Sequence, residues 1–228
     1  MPDLGNYDLV AAMRRDGCPL CRVLAEAELR WMDAFVHERG QAPEALRVFC
    51  ERGGFCRSHA WQFHRRAALA LTGAPVAEMY EGLLRRDIAH LEQLALDLPA
   101  DRRPRRLRRS LLGRRACPAC ERADARQEAK AEAFVVALNE PAVRSSYCDS
   151  DGLCVQHLDL VGAAALAGDT EVARFLIQDL RKRLQLLEAR LGAYERERDH
   201  WHRSTRSPID ADAWTDVVRS YVGEEFAD

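Results

Sequence analysis

No stretch of the 228 residues comes near the roughly 20 uncharged apolar residues that span a bilayer, so no membrane-embedded protein is expected. Charge of one sign is also missing. The 34 Lys and Arg against 36 Asp and Glu leave a formal net charge of −2, and no global field draws the chain to nucleic acid or to an anionic surface. The opening MPDLGNYDLVAAMRRDG lacks the charged-then-apolar order of a secretory signal, which makes the cytoplasm the expected compartment. Runs of alternating Val, Ile, Thr or aromatic residues are nearly absent, and strand signals with them. G-x-S-x-G, a phosphate loop, HExxH and a dinucleotide fingerprint are absent as well, which removes the familiar catalytic frameworks.

What is present is a normal globular balance, 47% apolar and 31% charged, together with eight cysteines. In a reducing cytoplasm eight thiols point to metal or redox chemistry rather than disulfides. They are not scattered. Cys18-Pro19-Leu20-Cys21 matches Cys117-Pro118-Ala119-Cys120 at an offset of 99, as Ala34-Phe35-Val36 matches Ala133-Phe134-Val135. The offset then becomes 98: Pro43 matches Pro141, Cys50 matches Cys148, Gly54-Phe55-Cys56 matches Gly152-Leu153-Cys154, and His59 matches His157. The chain is therefore a duplication, with repeats over residues 1–99 and 100–203 and a C-terminal piece over 204–228 that has no counterpart in the first copy. Asp101-Arg102-Arg103-Pro104 reads as the junction, and Ser204-Thr205-Arg206-Ser207-Pro208 precedes the tail.

Helical spacing runs through both copies. Val23, Leu24, Ala27, Trp31 and Phe35 make one apolar face of a helix from Arg22 to about His37. A short helix follows Pro43, which suits a first turn, and ends at Gly53-Gly54. Further helices are expected from Cys56 to about Leu71 and from Pro75 to about Leu98. The last has a longer counterpart from Glu171 to about Trp201, where Val172, Leu176, Leu180, Leu184, Leu187, Leu191 and Tyr194 approach a coiled-coil seam. The tail helix starts at Asp210 or Asp212 as N-cap and stops at Gly223. The fold class is all-α: two tandem pseudo-symmetric helical modules, each with a CxxC…CxxH metal site, plus a C-terminal helix.

Each copy carries C-x2-C followed by G-x-C-x2-H, the four Cys and His ligands that tetrahedral zinc takes from two close pairs. A C-x2-C knuckle lets both sulfurs face one ion. Spacing of three puts Cys56 and His59 on one face of a helix's first turn, where the positive helix end favours thiolate. Gly54 and Gly152, two residues before those cysteines, suit a tight entry with positive φ. We expect Cys18, Cys21, Cys56 and His59 to form one zinc site and Cys117, Cys120, Cys154 and His157 the other. A swapped arrangement, with the CPxC of one copy meeting the CxxH of the other, stays open.

Cys50 and Cys148 add a fifth candidate ligand per copy. The expectation is a core cysteine beside each site, and the alternative an all-cysteine set with His outside it. Four cysteines could also hold an iron–sulfur cluster, although no compact run carries three or four of them. CPLC and CPAC resemble thioredoxin-type redox pairs, but the βαβ context is missing. Both ligand sets look closed, without the open position that catalytic zinc keeps, so a non-enzymatic structural or interaction protein is expected.

The CPxC…GFCxxHAW pattern, repeated as CPxC…GLCxxH, resembles an uncharacterised bacterial family of unknown function. The likeness takes in most of the chain, including the Trp214 and Gly223 region of the tail. It supports the duplication and the metal sites and implies no further chemistry. The second copy departs from the pattern after His157, where Leu158-Asp159 stands for Ala60-Trp61.

The segment from Arg102 to Arg115 is dense in arginine, with Leu107, Leu111 and Leu112 on an apolar side. A nucleic-acid surface is one reading. A solvated face of the helix leading into the second CPxC is the favoured one, since the chain is net acidic and the stretch holds no aromatics. His37, His64, His90, His200 and His202 have no partner at ligand spacing, and Glu224-Glu225 is the nearest thing to a carboxylate pair. The expected partner is another protein, or a second copy met through the long helices.

Overall fold

The computed structural model describes residues 7–39, 42–70, 73–97, 116–199 and 212–223, and every regular element among them is helical. In chain order these are α1 (Tyr7–Met13), α2 (Pro19–Ala34) running into a π-helical turn (Phe35–Arg39), α3 (Pro43–Arg52), α4 (Arg57–Leu69), α5 (Ala74–Asp97), α6 (Pro118–Ala137), α7 (Pro141–Asp149), α8 (Val155–Gly168), α9 (Thr170–Asp199) and α10 (Ala213–Val222). The duplication is visible as α2 to α5 followed by α6 to α9. The arginine stretch 102–115, the junctions at 101–104 and 204–208, His200, His202 and Glu224-Glu225 lie outside the described residues.

Local sequence explains the limits. Pro19, Pro43, Pro118 and Pro141 each open a helix, where a missing N–H leaves no bond unmade. α3 ends at Gly53 in the left-handed region (φ 80°), with its N–H donated to Cys50 O at 3.1 Å. One limit differs in consequence: the first long helix starts at Pro19, not Arg22, so CPxC is a helix N-terminus rather than a free knuckle. At the tail Asp212 flanks α10, but its side chain makes no cap bond.

Packing divides the chain differently from the repeats. One compact unit is made of the described residues within Met1–Glu26 and Arg126–Ala227, the other of those within Ala27–Ala125. α2 and α6 each give their first turns to one unit and their remainder to the other. In the first unit Leu20, Ala131, Phe134, Leu138, Val143, Tyr147, Leu158, Val161, Val172 and Leu176 form one buried cluster. Tyr147 stacks edge-on against Phe134 and Phe175, each at 5.8 Å. Val172 and Leu176 spend the start of the seam on this core, and α9 packs on α8 and α10.

In the second unit Met32, Phe35, Val36, Phe49, Phe55, Phe63, Ala67, Met79 and Leu83 are buried together with Cys117 and Ala119. Phe55 touches Phe35 at 5.4 Å, Phe49 at 5.1 Å and Phe63 at 5.7 Å in edge-to-face geometry. Such pairs add about 0.5–1.5 kcal/mol each beyond area burial. Among the described residues no helix is long and apolar enough to cross a membrane.

Candidate metal centres

Four helix beginnings supply the candidate ligands. Cys18 and Cys117 accept the first intrahelical bonds of α2 and α6, from Arg22 N at 3.2 Å and Glu121 N at 3.0 Å. Cys56 and Cys154 are the extended N-cap residues of α4 and α8, and Ala60 N and Leu158 N donate to their carbonyls at 2.8 Å. Every CxxC and every CxxH therefore offers its two ligand atoms from the first turn of a helix. The partial positive charge there favours thiolates. Gly54 (φ +84°) and Gly152 (φ +77°) make the expected left-handed entries. A side chain at Gly152 would also strike Arg183, whose guanidinium bonds Ser150 O at 2.7 Å and Tyr147 O at 3.3 Å.

The eight residues meet in two quartets, and the quartets are crossed. Cys18 and Cys21 meet Cys154 and His157, while Cys117 and Cys120 meet Cys56 and His59, with the four ligand atoms of each quartet within 4.8 Å of one another. The pairing expected within each copy, Cys18 and Cys21 with Cys56 and His59, and Cys117 and Cys120 with Cys154 and His157, is not what forms. The swapped alternative is. Cys18 and Cys21 fall in the first unit with Cys154 and His157, whereas Cys56 and His59 fall in the second with Cys117 and Cys120.

In the first-unit cluster, here site one, His157 Nδ1 lies 3.1 Å from Cys21 Sγ, 3.4 Å from Cys154 Sγ and 3.5 Å from Cys18 Sγ, and Cys21 and Cys154 sulfurs are 3.8 Å apart. In site two, in the second unit, His59 Nδ1 lies 3.2 Å from Cys56 Sγ, 3.4 Å from Cys120 Sγ and 3.7 Å from Cys117 Sγ, and the Cys56 and Cys120 sulfurs are 3.7 Å apart. A tetrahedral zinc ion, with Zn–S about 2.3 Å and Zn–N about 2.0–2.1 Å, spaces its ligands at about 3.8 Å for S···S and about 3.6 Å for S···N. The Cys21–Cys154 and Cys56–Cys120 separations match that S···S spacing, and the S···N separations run from 3.1 to 3.7 Å.

Within each quartet the neighbours shift one another's proton affinities. Bonding to Cys117 and then to Glu28 pushes the His59 imidazole up to about 11 against the effect of burial. Burial opposes charge at Cys117, yet bonds from His59 and from backbone N–H groups bring its thiol down to about 6. Cys120, buried beside Cys56 and Cys117, is raised to about 11. In site one, bonds from Cys18 and Cys21 pull Cys154 far below its usual value, and Cys21 is raised through Cys154, Cys18 and burial. Burial opposes charge at His157, but Cys154 and Cys18 bring it up to about 9.

Two contributors were not legible in the sequence. Glu28 accepts a bond from His59 Nε2 at 3.0 Å, the carboxylate that commonly orients a metal-binding imidazole. Its counterpart at the offset of 99 is Gln127, so the pattern does not announce it. Gly223 lies against Cys21.

Cys50 and Cys148 belong to neither quartet. Cys50 is half-buried against the second core, near Gly82. Cys148 is exposed and corrects the expectation of a core cysteine. On α7 the buried positions are Val143 and Tyr147, which turns the next residue outward. Trp61 is 54% exposed beside His64 and lines, with Glu28, Arg57 and His59, a depression of about 340 Å³.

The fold and these clusters define an all-helical protein with two Cys3His sets, each able to hold a metal ion. Residues 8–189 match a family of unknown function, DUF6062, and the chain belongs to that family. The match stops short of Trp214 and Gly223, so the likeness does not reach the tail. No curated protein and no solved structure matches the chain.

Proposed function

We propose that the chain is a zinc-stabilised helical structural or interaction protein, with one ion at each quartet and no catalytic role. The observation that carries this reading is the gathering of three sulfurs and one imidazole nitrogen within 4.8 Å of one another, a cage of the size that tetrahedral zinc takes, achieved twice. Three thiolates against a divalent ion leave net negative charge, and the two helix N-termini at each site offset it. Four protein ligands leave no position for water or substrate, as suits a structural ion. A multi-iron cluster would hold its ligand sulfurs farther apart, with iron and sulfide between them, which favours the single-ion reading.

The ion would then work as a cross-link. At site one it joins residues 18–21 to 154–157, and at site two 56–59 to 117–120. Elemental analysis of chain expressed without added metal, paired with an anaerobic absorption spectrum, tests the proposal. About one zinc per quartet and a colourless solution are expected. Iron with visible absorbance, or a chain isolated without metal, would overturn it.

A further inference from the structure

Site one has a feature the duplication does not supply. α10 follows the second copy, and its last residue, Val222, is succeeded by Gly223 at φ 83° and ψ −171°, with its N–H donated to Arg219 O at 2.9 Å. A methyl group on the Gly223 Cα would sit 2.5 Å from Cys21 Sγ and 3.5 Å from Cys154 Sγ. The backbone of the tail thus lies directly on the Cys21 sulfur, at a spot where no side chain fits. α10 is fastened there by Ala213, which is fully buried, and by the ion pair of Arg190 with Asp216 at 2.7 Å, both side chains about a quarter exposed.

The same helix bounds the other approach. A cavity of about 580 Å³ opens onto Cys18 and Cys154, and Asp216, Arg219 and Ser220 of α10 form one of its walls. Site two differs: His59 borders the depression beside the exposed Trp61. In sequence, the C-terminal piece over 204–228 has no counterpart in the first copy.

We propose that α10 and Gly223 are a cover for site one. Electrophiles and chelators reach Cys21 when α10 undocks, and that opening sets the rate of site-one exchange, while site two exchanges independently of it. The metal-release part rests on the zinc reading above. Cys21 and Cys120 are both half-buried, and the shielding of Cys21 rests on Gly223 lying against its sulfur.

The test uses the reduced full chain as isolated, native and as Arg190→Ala, Asp216→Asn and Gly223→Ala. Asp216→Asn keeps the side-chain volume and touches no sulfur, so it guards against a variant that fails to fold, and circular dichroism confirms helicity. N-ethylmaleimide labelling followed by peptide mass spectrometry reads Cys21 against its counterpart Cys120, with exposed Cys148 as the internal standard. In the native chain Cys21 should label at least about tenfold more slowly than Cys120, as a site reached through local opening does. The variants should shrink that gap through Cys21 alone. Release to the chromogenic chelator 4-(2-pyridylazo)resorcinol should show a slow phase that the same substitutions accelerate and a fast phase that they leave unchanged. Equal labelling of Cys21 and Cys120 in the native chain, or a Cys21 rate that all three substitutions leave alone, overturns the proposal. A chain isolated without metal would defeat the zinc reading, and the labelling comparison would still decide the cover.

Discussion

Cys21 and His157 are 136 positions apart in the chain, and the Cys21 sulfur stands 3.1 Å from the His157 ring nitrogen. Together with Cys120 and His59 at 3.4 Å, the contact makes each copy the donor of half of each site. Neither repeat closes a site by itself.

Crossed pairing has a signature in metal content. Cys18→Ser and Cys154→Ser should each lose the same ion, so the double variant should lose no more than either single one. Cys18→Ser combined with Cys56→Ser should lose both ions. If that second pair costs only one ion by elemental analysis, each copy closes its own site and the crossed quartets are wrong.

The two outlying cysteines should be dispensable for metal. Cys148→Ala, at an exposed position, should change stability by no more than about 0.5 kcal/mol. Cys50→Ala removes a half-buried sulfur and should cost about 1 kcal/mol by thermal or urea unfolding. Metal content should be unaltered in both, and a lost ion would return these residues to the ligand set.

Glu28 sets up an asymmetry between the sites. Glu28→Gln or Glu28→Ala should weaken zinc at site two by about 10–100-fold, as removing an orienting carboxylate does, and leave site one untouched. Competition with a chelator of known affinity measures this. Equal weakening of both sites, or of neither, would show that the His59 contact does not tune the ion.

Zinc uptake should release protons. His59 and Cys120, each raised to about 11, hold protons at neutral pH and must give them up to bind the ion. Titrating zinc into lightly buffered metal-free chain with an indicator dye reads the release. Binding with no acidification would contradict the protonation pattern.

The metal-free chain should have its own pH window. The Cys117 thiol, lowered from 9.0 to about 6, contributes stability that is full above pH 9.0 and lost as pH falls through about 6. His59, raised from 6.5 to about 11, contributes stability that is full below pH 6.5 and lost as pH rises through about 11. Its melting temperature should therefore fall on both flanks. With zinc bound, the acid flank becomes release of the ion, comparable to losing the module's whole margin, since structural zinc supplies about 10–16 kcal/mol against about 5–15 for a typical domain. A melting temperature unchanged by complete metal removal would show that the thiols are packing residues.

The sequence alone determined what is local. Pro43 marks a helix start through a fixed φ and a missing N–H. Gly54 and Gly152 mark left-handed entries, and the three-residue spacing of Cys56–His59 and Cys154–His157 puts each pair on one helical turn. These depend on neighbours a few residues away, so they could be read before any contact was known. The pairing of quartets could not, because both copies present the same ligand pairs at the same kind of helix end, and spacing is silent between identical partners. Tertiary packing decided it. α2 commits Leu20 to one core and Met32 to the other, and α6 commits Ala119 to one and Phe134 to the other. Each CPxC thereby falls in a different unit from the CxxH of its own copy. Glu28 and Gly223 were settled the same way: one is an ordinary acidic helix residue and the other an ordinary helix stop until the fold sets them against a ligand.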